Sequence, residues 1–147
     1  MKLIQLLLGI LLTGQTLAQV KLQIRLDSSI QQPVSGRLFI YTLSDTTKNI
    51  PNQPNPKEPM FAFNISNWKG TQTIELNTKA DHLPADLVAL KPGYYKVAGI
   101  LDTDPTERGN FNPGNVYARK DAILYVNEKG EGQTEVLFAS VIPKRIF

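Results

Sequence analysis

The sequence predicts an all-β fold, an antiparallel β-sandwich. Three observations carry that prediction. Side chains alternate apolar and polar with period two in Gln19–Asp27, and Gly93–Asp102 reads as a second clear strand. Short β-prone runs are separated by Pro, Gly and Asn turns. Strands do not alternate with helices, which sets an α/β fold aside. The chain has 147 residues, enough for one domain with its own core, and 41% are hydrophobic.

The chain opens with an export pattern. Lys2 precedes Leu3–Leu12, interrupted only by Gln5 and Gly9, and Thr16-Leu17-Ala18 supplies the small-x-small cleavage site. As a helix this run rises ~15 Å, about half a bilayer core, so it is too short for an anchor. The expectation is a signal peptide at residues 1–18, a sandwich domain at 19–147, and a protein exported to the periplasm or the exterior, with no transmembrane anchor after cleavage. Cysteine is absent, which removes disulfides, thiolate metal sites and a cysteine nucleophile.

The strands follow in order. In Gln19–Asp27, Val20, Leu22, Ile24 and Leu26 share one face, and Lys21, Gln23 and Arg25 share the other. Gln31-Gln32-Pro33 breaks the chain. Arg37–Leu43 is apolar on both faces, as a strand near the sheet centre should be. Asn49–Pro59 carries four prolines and is expected to be an extended surface loop. Met60–Asn64 and Thr71–Leu76 are short strands joined by a turn around Asn67–Gly70. Lys79–Leu90 is ambiguous: Asp81, Asp86 and Leu87–Leu90 are compatible with a helical turn, whose length Pro84 and Pro92 limit. In Gly93–Asp102, Tyr95, Val97, Gly99 and Leu101 oppose Tyr94, Lys96, Ala98 and Ile100. A polar loop, Thr103–Asn115, leads to a predicted hairpin of Asp121–Asn127 and Gln133–Ile142, with Gly130 and Gly132 supplying positive φ in its turn. The total is about seven strands, an immunoglobulin-like sandwich, with a small barrel as the competing arrangement.

Known reaction chemistry finds little purchase. His82 is the only histidine, and none of the serines sits in a G-x-S-x-G elbow. One histidine without cysteine does not make an ordinary zinc shell. Phosphate-binding glycine motifs are absent. After signal cleavage 15 basic and 13 acidic residues remain. The bases are scattered, apart from the pairs Arg119-Lys120 and Lys144-Arg145. Nucleic-acid binding is therefore not expected.

Two features remain. Asp102, Asp104 and Glu107 are hard oxygen donors of the kind calcium takes. The loop is not an EF-hand, because Glu107 stands at the glycine position and Pro113 at the final glutamate position. Such Asp and Asn residues also close turns. Trp68, Tyr94, Tyr95, Phe111 and Tyr117 are candidates for a sugar-stacking surface, against the competing role of core packing.

Three stretches resemble a known domain. Ser35-Gly36-Arg37-Leu38-Phe39-Ile40 is similar to its opening strand. Leu90-Lys91-Pro92-Gly93-Tyr94-Tyr95-Lys96-Val97 with Asp102 resembles its L-P-P-G-x-Y-x-V segment, and Pro113-Gly114-Asn115-Val116-Tyr117 its P-G-N-(L/V)-Y element. The domain is the one preceding the catalytic region in exported esterases of the enterochelin-esterase-like group. The match places Gly36, Arg37, Pro92, Gly93, Tyr95, Asp102, Pro113, Gly114, Asn115 and Tyr117 as motif residues. In that group the hydrolase is a separate region; this sequence reaches Phe147 about where a linker to it would begin. The resemblance therefore implies a noncatalytic β-sandwich, an accessory or interaction module partnered by a hydrolase domain or another exported protein, and it carries over no catalytic residue. Cofactors are not expected, calcium being the one considered. The alternatives are an esterase using His82, and a calcium- or carbohydrate-binding module.

Overall fold

The computed structural model describes residues 19–51, 57–76, 80–83 and 87–146. Residues 1–18, read above as a signal peptide, lie outside the described residues, as do Pro54 and Pro56 of the proline-rich loop and residues 84–86.

Among the described residues there are nine strands: β1 (Val20–Leu26), β2 (Val34–Leu43), β3 (Met60–Trp68), β4 (Ile74–Leu76), β5 (Asp81–Leu83), β6 (Gly93–Asp102), β7 (Val116–Ala118), β8 (Ile123–Val126) and β9 (Gly132–Val141). Within the ambiguous stretch Lys79–Leu90, Asp81 belongs to strand β5 rather than to a helical turn, and a 3₁₀ turn forms at Leu87–Ala89. The hydrogen-bonded order is β4-β1-β9-β7-β6-β2-β3-β5, with β8 also paired to β6. β7 and β8 follow one another along the same edge of β6, opposite β2. Because β7 bonds both β6 and β9, the strip turns a corner there. The β4-β1-β9 layer then lies over the β6-β2-β3-β5 layer, the sandwich the alternation predicts.

Between the layers, Leu22, Ile24 and Leu26 of β1 and Val136 and Phe138 of β9 meet Leu38 and Ile40 of β2, Phe61 of β3 and Val97 and Leu101 of β6. The Trp68 and Phe138 rings pack edge to face at 5.6 Å. Lys21, Gln23 and Arg25 face water, as expected of a half-wet strand.

The structure corrects the expected pairings. The fold is mixed rather than wholly antiparallel, because β1 runs parallel to β9 over its whole length. Nine strands replace about seven: β4 falls within the expected Thr71–Leu76 run, and the two additional strands, short β5 and β7, pair at an edge and at the corner where sequence periodicity is too brief to register. The predicted last hairpin forms only at its turn, where Asn127 N–H donates to Glu131 O at 2.9 Å. Its strands then diverge, β8 onto β6 and β9 onto β1 and β7. Gly130 has positive φ (75°), as expected, whereas Gly132 does not. Gly132 instead permits close approach, since a Cβ there would lie 2.2 Å from Tyr125 O.

One strand, β6, organises the rest. Its inner face, Tyr95, Val97, Gly99 and Leu101, closes the core. Its outer face is also covered. Ala98 and Ile100 join Tyr41 and Leu43 in a second apolar cluster, against which Phe39, Ile50, Met60 and Tyr117 pack.

Candidate functional site

The outer apolar cluster does not close completely. A cleft of about 850 Å³ opens over Lys96, Ala98 and Tyr117, walled by Asn49–Ile50, Phe111, Ala118–Asp121 and Ser140–Pro143. Five separate chain segments therefore build it, with Tyr117 continuing into the Ala118–Asp121 wall.

Its position follows from local rules. Alternation along β6 sends Lys96 and Ala98 outward, and the β6–β7 register sets Tyr117 beside Ile100 on the same face. Lys96 is 8% exposed, and its Nζ donates to Lys48 O at 2.8 Å. A lysine ammonium has three donors, and this bond uses one. Arg119 and Lys120 stand exposed at the rim, where Arg119 Nη2 contacts Asp121 Oδ2 at 2.8 Å. The Phe111 ring stacks on Tyr117 with centroids 5.6 Å apart and planes 15° apart, although Phe111 is 69% exposed. Burial, and then the neighbouring Tyr41, push the Tyr117 phenol up to about 12. The hydroxyl stays protonated and donates to Asn110 O.

The polar loop singled out in the sequence holds Phe111 in place. Asp102 Oδ1 accepts from Asp104 N at 3.2 Å, and Asp104 Oδ1 accepts from Thr106 N at 3.0 Å and from Thr106 Oγ1. Those Thr106 bonds hold the Asp104 carboxyl below its usual range. Glu107 is exposed, and its N–H donates to Asp104 O at 3.2 Å. Asp102 and Asp104 thus close successive turns. No group of three or more acidic or imidazole side chains converges as a cation site among the described residues.

Asn115 is the loop's buried anchor. Its Oδ1 accepts from Thr103 N at 3.0 Å, its Nδ2 donates to Asn110 O at 3.4 Å, and its carbonyl accepts from Ile142 N at 2.9 Å. Gly114 N returns a bond to Ile142 O. This tie fastens the loop to the end of β9, so two walls of the cleft are joined by backbone hydrogen bonds.

The motif residues separate into two groups. Gly36, Arg37, Asp102, Pro113, Gly114, Asn115 and Tyr117 collect at one end of β6. Arg37 lies opposite Asp102 in the β2–β6 backbone register, and a Cβ on Gly36 would stand 2.0 Å from Asp102 O. Pro92, Gly93 and Tyr95 lie at its other end, where the Tyr95 hydroxyl donates to Lys91 O at 2.7 Å. That bond, four residues back at the start of a strand, has the form of a tyrosine corner.

Of the five aromatics proposed for sugar stacking, Trp68 and Tyr95 belong to the core. Both have a body the core can bury and a polar tip that finds a backbone carbonyl, Gln72 O for Trp68 and Lys91 O for Tyr95. Tyr94, Phe111 and Tyr117 lie outside it. Tyr94 is 63% exposed and pairs across the ladder with Tyr125, ring centroids 4.7 Å apart. Sequence reasoning passed over Lys96 as one scattered base. The available signal was its phase, an outward position between Tyr94 and Ala98 on a strand whose other outward residues, up to the terminal Asp102, are apolar or aromatic. The His82 backbone pairs with Phe61 at the β3–β5 edge.

Comparison with known proteins returns no matching family model, no matching curated protein and no matching solved structure.

Proposed function

We propose that this chain is an exported, noncatalytic accessory module that recognises its target through the outer-face cleft. The single observation that carries the reading is the pairing of an open aromatic surface with a buried ammonium. Phe111 stays 69% exposed on a loop anchored by Asn115, while the nearby Lys96 is 8% exposed. An exposed large ring on a hydrogen-bonded loop beside a concave surface of ligand size is what a recognition site presents. The export pattern of residues 1–18 and the resemblance to the domain preceding exported esterases support the same reading, with a hydrolase domain or another exported protein as partner.

The test is direct. Purified protein carrying residues 19–147 is expected to leave generic aryl esters intact, and probe ligands are expected to perturb backbone resonances around Phe111, Tyr117 and Lys96. Ester cleavage that disappears in His82→Ala would overturn the proposal in favour of an esterase.

A further inference from the structure

We infer that the cleft binds acidic sugars, holding a uronate carboxylate on Lys96 while the sugar ring lies against Phe111. The inference rests on the binding-module reading above and names its ligand class.

The volume, about 850 Å³, falls in the range of small-ligand sites. Charge selects an anion. The lining holds three cations, Lys96, Arg119 and Lys120, against the single carboxylate of Asp121, which is already engaged by Arg119. The Lys96 ammonium is largely withdrawn from water and retains donors beyond the one given to Lys48 O. A carboxylate there accepts charge-assisted hydrogen bonds in a partly desolvated setting, where they are strongest.

Shape and polarity narrow the class further. The open ring of Phe111, backed by Tyr117, offers a flat apolar face for the C–H side of a pyranose. Asn49 and Ser140 also line the cleft and have hydrogen-bonding capacity to satisfy. A purely hydrocarbon acid would cover such groups without pairing them, which costs free energy, whereas sugar hydroxyls pair them. The same outer face continues past the cleft. Tyr94 lies two residues before Lys96, about 7 Å along β6 on the same side, and its ring packs at a tilt against exposed Tyr125. A second aromatic platform in line with the first suits a chain of rings rather than one.

The experiment uses calorimetric titration of the residue 19–147 protein with trigalacturonate, its methyl ester, neutral trigalactose, and 1-naphthylacetate as an aromatic acid. Trigalacturonate is expected to bind at least tenfold more tightly than its methyl ester or trigalactose, and more weakly as salt rises. Lys96→Gln should remove most of that discrimination, and Lys120→Ser, on the exposed rim, should reduce it without risk to the fold. Phe111→Ala should weaken binding of all the sugars, and Tyr94→Ala should weaken a hexamer more than a trimer. Equal affinity for ester and acid, or preferential binding of naphthylacetate in the cleft, would overturn the acidic-sugar inference and leave the binding-module reading standing. No binding by any probe would count against both.

Discussion

Gly99 shows how a single missing side chain shapes this protein. A Cβ there would lie 2.4 Å from the Phe138 ring, and Phe138 is fully buried against Trp68. Gly99→Ala must push the ring out of a filled layer, so a loss of about 1–3 kcal/mol is expected in denaturant unfolding. Tyr95→Phe keeps the apolar body and deletes the bond to Lys91 O, with an expected cost of about 1 kcal/mol by the same measurement. Asn115 differs from both, since its side chain serves the cleft. Asn115→Ala leaves the Thr103 N–H without its acceptor and removes one of the two bonds to the Asn110 carbonyl, the Tyr117 hydroxyl keeping the other. The expected result is a loss of about 1–3 kcal/mol, with faster amide exchange confined to the Thr103–Asn115 loop and the end of β9. Exchange that spreads evenly over the sandwich would show that Asn115 is merely one more core contact.

At the scale of elements, β1 is the plainest case of pattern becoming position. Ile24 is fully buried between β4 and β9, while Gln23 faces solvent one residue away. Ile24→Ala is expected to cost about 2–5 kcal/mol, and Gln23→Ala to stay within about 0.5 kcal/mol. The contrast is checked by chemical denaturation of the pair. β6 obeys the same period-two rule but is covered on both faces from Tyr95 to Leu101. Its outer face is the one that matters for recognition, because it passes from the exposed Tyr94 to the buried Lys96 and then to Ala98 under the cleft. The ion pair between Arg25 and Glu135, both about half exposed, contributes little to holding β1 on β9. Parallel backbone pairing and the buried apolar faces do that work.

For the whole molecule, titration gives stability a defined pH window. Burial raises the phenols of Tyr41 and Tyr95, and burial with the neighbouring Tyr41 raises Tyr117 to about 12. These groups ionise more readily unfolded than folded. Their contribution is therefore complete below pH 10, the ordinary tyrosine value, and is lost as pH rises toward about 12. Stability against urea should fall across that interval, and Tyr117→Phe should flatten the fall. On the acid side, hydrogen bonds from Ser29, Thr47 and Thr106 lower the carboxyls of Asp27, Asp45 and Asp104. Their contribution is present above pH 3.8 and declines as pH drops through the lowered folded values, gently because Asp45 is solvent-exposed and Asp27 and Asp104 are partly so.

The amino-acid order alone determined the all-β class, the inward set Val20, Leu22, Ile24 and Leu26, the two faces of β6 and the turn-rich loop after Asp102. Each of these is local, fixed by side-chain alternation or by the conformational limits of Pro, Gly, Asp and Asn. Tertiary structure decided the parallel seating of β1 on β9, the divergence of β8 from β9, and the withdrawal of Trp68 and Tyr95 into the core. It also assembled the cleft, by drawing Asn49, Lys96, Phe111, Arg119 and Ser140 onto one surface from segments far apart in the chain. Alternation states which side of a strand is apolar. It does not state which strand lies alongside, and a cleft is made entirely of such neighbours.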